Sequence, residues 1–379
     1  MARRLSPLSS LLAEMVAVPS VNPQGDAGDS VSGEARMGAW MAEHLRGLGA
    51  DVEVQWLAPG RPNVIGVFEP ARPAVATVVF APHLDTVGVA GMTVPPFSLT
   101  ARAGRLHGRG ACDTKGPTAA LLWALREWTR SPARTAAAVR WIVVATAGEE
   151  EGSAGAEALL RAGFRANFAV ALEPTQLHVV HAAKGILRLW IETRGRAHHG
   201  AQPERGDNAV YRMLPLALAL RDTLAPELAA RRHPVLGAAS LNLGVMQGGR
   251  DLNIVPDRCR VGLDLRLHPG VESDEVLRAL RNLRRAYAPG ATVRVHRAGP
   301  SFVTERTQPW ARALRRAGRG WATADWFCDA NIFAGQGIPA VAFGPGDIAQ
   351  AHTKDEYILE RDLAEGAVAF SQFLNAGGG

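Results

Sequence analysis

The sequence predicts an α/β protein in which helices cover both faces of a mostly parallel sheet, with a smaller α+β domain inserted into the chain. Two observations predict this class. In the first half, apolar strand-like runs alternate with segments of helical periodicity, as in parallel strands joined by helices. From about Leu177 the pattern changes to alternating, half-exposed strands, and a buried strand-like run returns near the C-terminus.

Three apolar runs of the first part predict buried strands: "ATVVFAPHLDTV", "AAVRWIVVATAGEEEG" and "FAVALEPT". The segment "TAALLWALREWTR" between the first two has helical periodicity. Each run ends in polar residues, namely His83 and Asp85, Glu149 and Glu150, and Glu173. Reactive residues of such sheets collect at the carboxyl ends of the strands, so we expect these side chains to form one site.

The inserted domain is predicted from strands that alternate with helices. The strands are "LHVVHAAKGILRLWIETRGRA", "AASLNLGVMQGG" and "CRVGLDLRLHP", and the helices are "NAVYRMLPLALALRDTLAPELAARR" and "SDEVLRALRNLRRAYA". Afterwards "IPAVAFGPG" predicts one more buried strand. We therefore expect a larger domain formed by residues 1–177 and 298–379, with residues 178–297 inserted into it.

Composition excludes several classes of protein. The 379 residues are 47% hydrophobic and 21% charged, the balance of an ordinary globular protein. The net charge is +6, but the basic residues are scattered, so we expect no nucleic-acid partner. No apolar run reaches the roughly 18 residues of a membrane span, and the N-terminus predicts an amphipathic helix and no secretion signal. Three cysteines without CxxC spacing favour a cytoplasmic location.

Five residues are candidate metal ligands because metal hydrolases use histidine and carboxylate ligands on rigid elements: His83, Asp113, Glu150, Glu173 and His352. His83 and Glu173 each stand beside a turn-forming proline. Taken singly, each also has a structural explanation. Asp113 could cap the helix that follows it, Glu173 could be a turn residue, and His352 could be a surface histidine.

The motifs "APHLDTV", "GRGACDTKGP", "TAGEEEGSAG", "ALEPT" and "GPGDIAQAHTKDEY" resemble, in order and spacing, those of the zinc aminoacylase and carboxypeptidase family. This family includes acetylornithine deacetylases, succinyl-diaminopimelate desuccinylases, aminoacylases and glutamate carboxypeptidases. The resemblance extends over nearly the whole chain. It implies a three-layer catalytic domain that binds zinc and an inserted lid or dimerisation domain.

The resemblance implies two zinc ions, for which cobalt or manganese can substitute. His83 and Glu173 would bind one ion, and Glu150 and His352 the other, while Asp113 bridges both. The ligand residues are thereby distributed over all five motifs.

The same resemblance assigns the neighbouring acidic residues. Glu149 would be the general base that activates water. Asp85 would hydrogen-bond His83 and fix its tautomer. A cis peptide bond is expected between Asp113 and Thr114. The chain departs from the family at Gly148, where an aspartate is usual.

The inserted domain is expected to contribute to the site. In "GRAHHGAQPERGDNAV", His199 matches the family histidine that stabilises the oxyanion, with His198 as its neighbour. Asn253 in "LNIVP" and Arg266 in "LDLRLHP" match substrate-contacting positions, and an arginine fork suits a substrate carboxylate. For Arg266, a surface arginine on a strand is the alternative.

The expected activity is removal of the acyl group from an N-acyl-L-amino acid. The closing motif most resembles acetylornithine deacetylases, which favours N-acetylornithine as the substrate. Desuccinylation of succinyl-diaminopimelate, carboxypeptidase or dipeptidase action, and an inactive binding protein on the same scaffold are the alternatives. Relatives pair through the inserted domain, so we expect a homodimer with a small-molecule or short-peptide substrate and no membrane partner.

Overall fold

The computed structural model describes residues 5–23 and 33–376. Within this part of the chain there are two compact units. The first unit comprises the described residues of Met1–His181, Thr304–Ala322 and Cys328–Gly379, and the second comprises Ala182–Val303 and Thr323–Phe327. That residues 178–297 form an inserted domain which serves as a lid or dimerisation element stays a prediction.

The α-helices of the described residues are, in chain order, α1 (Pro7–Val16), α2 (Ala35–Gly47), α3 (Lys115–Thr129), α4 (Ala133–Ala136), α5 (Ala154–Arg161), α6 (Ala209–Ala219), α7 (Ala225–Ala230), α8 (Ser273–Tyr287), α9 (Pro309–Ala317), α10 (Asp329–Gly335) and α11 (Glu360–Ala376). A π-helical turn, Leu220–Leu224, joins α6 to α7, and 3₁₀ turns lie at Pro203–Arg205 and Ile348–Gln350. Within the described ranges, no helix has the length and apolar character needed to cross a bilayer.

The strands are β1 (Asp51–Ala58), β2 (Arg61–Phe68), β3 (Ala76–Ala81), β4 (Thr100–Arg102), β5 (Arg105–His107), β6 (Val139–Ala145), β7 (Phe168–Ala171), β8 (His178–Ala183), β9 (Gly185–Arg194), β10 (Arg232–His233), β11 (Gly237–Ala238), β12 (Ser240–Gly248), β13 (Arg258–Leu267), β14 (Thr292–Gly299), β15 (Phe302–Val303), β16 (Gly320–Ala324), β17 (Ala340–Ala342) and β18 (Tyr357–Leu359).

The central sheet has the strand order β1-β2-β6-β3-β7-β17-β8-β15, and β16 also pairs with β8. The strands β6, β3, β7 and β17 pair in parallel, whereas the β1–β2 hairpin and β8 pair antiparallel at the flanks. The predicted α/β class with parallel central strands is confirmed. The antiparallel flanks are an addition that the alternation of strands and helices did not predict.

Aromatic packing anchors the parallel strands. Phe80 of β3 stacks on Trp141 of β6 with ring centroids 5.7 Å apart, and both side chains are fully buried. Phe370 and Phe373 of α11 meet Phe80 edge to face, each at 5.9 Å. Because β-branched and aromatic residues fill both faces of these strands, their carboxyl ends are held rigidly.

The second unit contains an antiparallel sheet in the order β12-β13-β9-β14. Helices α6 and α8 cover one face, and their leucines form a core with inward residues of β9 and β13. On β12 most residues are exposed. This arrangement confirms the predicted α+β pattern of alternating, half-exposed strands.

A smaller antiparallel sheet, β18-β5-β4, belongs to the first unit. In it, Tyr357 of β18 pairs with His107 of β5. The chain segments that lead out of β5 and into β18 therefore lie side by side.

Candidate metal centre

Three neighbouring parallel strands deliver acidic residues and a histidine to one edge of the central sheet. His83 follows β3, Glu149 and Glu150 follow β6, and Glu173 follows β7. In the sheet β3 lies between β6 and β7, so residues that are up to 90 positions apart meet at the carboxyl ends of these strands. In α/β proteins, ligand-binding and active sites lie at this edge of the sheet.

Two further candidates come from loops. Asp113 precedes Thr114, the N-cap residue of α3, and the peptide bond between them is cis, as expected from the resemblance. Asp113 is not the helix cap, so the structural explanation for it is wrong. His352 lies between a 3₁₀ turn and β18, with a φ of 62°.

The five predicted ligands form two groups that share Asp113. In each group the ligand atoms lie within 4.8 Å of one another: His83, Asp113 and Glu173 in the first, and Asp113, Glu150 and His352 in the second. Asp113 Oδ1 lies 3.0 Å from His83 Nε2, and its Oδ2 lies 3.3 Å from His352 Nε2. Each oxygen of Asp113 thus faces a different group.

The residues present fit a pair of divalent cations. Both groups offer nitrogen and oxygen donors of the types that zinc accepts. In addition, Glu150 Oε1 is buried and has no hydrogen-bond partner among the described residues. A buried carboxylate oxygen without a partner is costly unless a cation or a donor satisfies it. The His352 side chain is 53% exposed, so the second group is open to solvent.

The charges of the centre are unbalanced. Burial raises the pKa of Glu173 well above its usual value, and the charges of Asp113 and Glu149 add to this shift. Burial likewise raises the pKa of Glu149, with contributions from Asp329 and Glu150. Hydrogen bonds to Asp113 and Glu150 raise the pKa of His352 to about 11. The contributions of neighbouring carboxylates to these shifts indicate that acidic groups crowd one another here, and a divalent cation would relieve their repulsion.

The orientation of His83 differs in one detail from the expectation. Its Nδ1 lies 2.9 Å from the backbone carbonyl oxygen of Asp85 and 3.6 Å from the carboxylate Oδ1. The nearer acceptor for Nδ1 is therefore the Asp85 backbone oxygen, and the predicted hydrogen bond from the Asp85 side chain stays a prediction. Because a carbonyl oxygen only accepts, Nδ1 donates to it, and Nε2 is the ring nitrogen that faces Asp113.

The Asp85 carboxylate instead holds the glutamate turn. Its oxygens accept hydrogen bonds from the backbone N–H of Glu149 and of Glu150, each at 3.1 Å, and from Asn22 Nδ2 at 2.8 Å. Asp85 is only 1% exposed, so its carboxylate depends on these donors and not on bulk water. Asp85 thus sets the backbone from which both glutamates project.

At Gly148, where the resemblance implies an aspartate, the structure leaves no room for a side chain. Its φ is +72°, a conformation that glycine adopts readily. A Cβ at this position would lie 2.2 Å from an NH2 atom of Arg61. Arg61 in turn pairs with the buried Glu34 at 3.0 Å. A guanidinium therefore occupies the space that an aspartate side chain would need.

In the second unit, His199 and Asn253 lie together. The N–H of Gly200 donates to the backbone oxygen of Asn253 at 2.6 Å, and His199 forms a β-bridge with Ile254. His199 is exposed, and its Nδ1 accepts a hydrogen bond from the N–H of Ala201 at 3.1 Å. In the neutral ring, Nε2 then carries the proton and is able to donate it.

Arg266 is already paired. Its Nε lies 2.9 Å from Asp264 Oδ1, and its NH2 lies 3.1 Å from Oδ2 of the same carboxylate. Arg188 also contacts Asp264, at 3.2 Å. The guanidinium thus faces a carboxylate of its own strand.

The sequence predicted no functional role for two buried carboxylates near the centre, Glu356 and Asp329. Glu356 belongs to the quoted motif "HTKDEY" but was assigned no role, and its spacing of four from His352 was the available signal. Asp329 accepts a hydrogen bond from Thr146 Oγ1 at 2.7 Å behind the glutamate turn. No sequence feature singled it out.

Comparison with known proteins agrees with this geometry. The sequence profile of Peptidase family M20/M25/M40 matches residues 79–376. An acetylornithine deacetylase of Myxococcus xanthus is 32% identical over 381 residues, which cover 96% of this chain and 95% of that protein.

Solved structures show the same fold. An M20 family metallo-carboxypeptidase from Sulfolobus solfataricus superimposes with a TM-score of 0.83 at 17% identity, covering 99% of this chain and 100% of the other. A tripeptidase from Staphylococcus aureus has a TM-score of 0.79 at 20% identity, with 98% of both chains covered.

Proposed function

The chain belongs to Peptidase family M20/M25/M40 and is a hydrolase of amide bonds, and on that premise we propose that it removes the acyl group from an N-acyl-L-amino acid. The proposed cofactor is a pair of zinc ions. N-acetylornithine is the first candidate substrate, on the strength of the 32% identity to an acetylornithine deacetylase over nearly the whole chain.

One observation carries the proposal: two groups of ligand atoms share Asp113 and lie beside a glutamate that belongs to neither. His83 and Glu173 would hold one ion, and Glu150 and His352 the other. A binding protein on this scaffold has no use for the additional carboxylate. The inactive alternative is therefore disfavoured.

Divalent ions bound in these groups would lower the pKa of a water molecule and polarise the substrate carbonyl. Glu149 would take a proton from the water while the water oxygen forms a bond to the acyl carbon. When the C–N bond breaks, Glu149 would return that proton to the leaving amine nitrogen. Asp85 would keep Glu149 in place through the backbone.

The second unit would supply the remaining groups. His199 Nε2–H would donate to the oxyanion, for which the Ala201 hydrogen bond to Nδ1 selects the suitable tautomer. Asn253 and Arg266 would contact the amino-acid part of the substrate. Following the resemblance, we propose a homodimer in which His199 serves the centre of the partner chain, and a cytoplasmic location.

A metal-exchange experiment tests the centre. Exhaustive chelation should abolish hydrolysis, and zinc, cobalt or manganese should restore it with up to two ions per chain. Elemental analysis counts the ions, and circular dichroism checks that the chelated protein stays folded. Full activity of folded protein without metal would refute the proposal.

A substrate panel tests the bond that is cleaved. N-acetyl, N-succinyl and other N-acyl amino acids would be compared with dipeptides and tripeptides by amine release. We expect the highest kcat/KM for an N-acyl amino acid. Faster cleavage of peptides would support the carboxypeptidase or dipeptidase alternative, and no cleavage by metal-loaded protein would support the binding protein.

A further inference from the structure

We propose that Glu356 is a positioning residue of the metal centre, whose carboxylate fixes the loop that carries the bridging Asp113 against the segment that carries His352. The inference rests on the metal centre proposed above. It concerns a residue that offers no ligand atom to either group.

The contacts of Glu356 are confined to one loop. Its Oε1 accepts hydrogen bonds from the N–H of Cys112 at 2.9 Å and of Asp113 at 3.0 Å. Its Oε2 accepts from the N–H of Gly110 at 3.0 Å and from an NH1 of Arg109 at 2.6 Å. Glu356 is 1% exposed, so its carboxylate is enclosed by the loop that it binds.

Each oxygen of this carboxylate has two donors and faces no acceptor among the contacts described. The loop from Gly108 to Asp113 is neither helix nor strand, so its buried N–H groups lack the partners that regular structure supplies. A carboxylate is the side chain that offers two acceptor oxygens at this spacing. A glutamine would present its NH2 to two donors in either orientation.

The backbone around Glu356 joins the same loop. The N–H of Gly108 donates to the Glu356 carbonyl oxygen at 3.1 Å, and His107 Nδ1 lies 3.0 Å from the Asp355 carbonyl oxygen. His352 stands four residues earlier on this segment. The Glu356 side chain and the backbone of residues 355–356 therefore connect the segment that contains His352 to the loop that contains Asp113.

The two ligand groups depend on this connection unequally. In the first group, His83 and Glu173 follow β3 and β7 of the rigid central sheet, and Asp113 alone comes from the loop. In the second group, both Asp113 and His352 come from the segments that Glu356 joins. Loosening this connection should weaken the second group first.

The test measures metal binding to metal-free protein by calorimetry, and the absorption spectrum of the cobalt-loaded form. Wild-type protein should bind two ions. Glu356→Gln should retain the first ion and lose roughly 10- to 100-fold in affinity for the second, the usual effect of removing a group that orients a ligand. The cobalt spectrum should change correspondingly. Glu356→Asp keeps both oxygens and the charge, so it should recover part of the affinity.

Two control variants separate positioning from general destabilisation. Asp355→Asn makes the same change of charge at the neighbouring exposed residue and should bind both ions like wild type. Ile358→Ala removes a buried core side chain from the same segment without touching the loop hydrogen bonds. It should lower Tm and keep the affinity for the second ion.

Equal affinities in Glu356→Gln and wild type would overturn the inference while leaving the proposed function intact. Equal losses in Glu356→Gln and an Ile358→Ala protein of similar Tm would also overturn it. If Glu356→Gln does not fold, Glu356→Asp decides: unchanged affinity for the second ion overturns the inference, and selective weakening supports it. Wild-type protein that binds no divalent ion would overturn the metal centre, and the inference with it.

Discussion

The run of three glutamates, Glu149 to Glu151, allows the proposed base and the proposed ligand to be distinguished by single substitutions. Glu149 belongs to neither ligand group, whereas Glu150 is one of three members of the second. Glu149→Ala should therefore keep both metal ions and lose turnover. Glu150→Ala should lose the second ion.

The structure indicates that neither variant should collapse the turn. The hydrogen bonds to Asp85 come from the backbone N–H of Glu149 and Glu150, and these groups persist after substitution by alanine. General-base assistance contributes about 10²–10⁴-fold, so Glu149→Ala should raise the activation free energy by about 2.7–5.4 kcal/mol. Its Tm should change little compared with this loss.

The assay pairs kcat on the best N-acyl amino acid with elemental analysis of the same preparation. Glu151→Ala is the matched control, because Glu151 is exposed and follows the pair directly. It should retain metal and activity. If Glu149→Ala lost the second ion while Glu150→Ala kept both ions and lost turnover, the assignment within the run would be wrong by one residue.

Three further predictions concern other parts of the chain. If Arg266 binds the substrate carboxylate, amidated substrates should lose most of kcat/KM, and Arg266→Lys should restore binding only in part; equal rates on acids and amides would remove Arg266 from the site. If His199 acts in the partner's centre, mixing inactive Glu149→Ala and His199→Ala dimers under subunit exchange should recover about a quarter of wild-type activity, and no recovery despite proven exchange would exclude it. Burial lowers the pKa of His44 below its usual 6.5, so folding disfavours its proton and stability should decrease as the pH falls through 6.5. Urea titrations of His44→Phe should show a smaller decrease than wild type, and identical profiles would contradict this.

Much of the fold could be predicted because the signals are local. Apolar runs predicted β3, β6 and β7, and helical periodicity predicted α3. The polar residues that end these strands include His83 and Glu173, and the sheet brings them to one edge. Periodicity reports burial along a segment, which is sufficient to place a residue at the end of a strand.

The hydrogen-bond partners could not be predicted in the same way. The sequence predicted a contact of the Asp85 side chain with His83, but not that the Asp85 carboxylate binds the backbone of the glutamate turn. It did not predict the pairing of the Arg266 guanidinium with Asp264, whereas the proposed contact of Arg266 with a substrate stays a prediction. Both choices depend on which donor or acceptor lies within about 3 Å, a distance that no spacing along the chain specifies.

The sequence by itself determined the fold class, the candidate ligands and the glutamate run, because these follow from residue type, periodicity and motif order. Tertiary structure alone decided that β3 lies between β6 and β7, and that Arg61 occupies the space beside Gly148. It also placed Glu356 on the N–H of Asp113, across 243 positions of the chain. A buried N–H takes whichever acceptor the folded chain brings to it, and that acceptor is known only once distant segments have packed together.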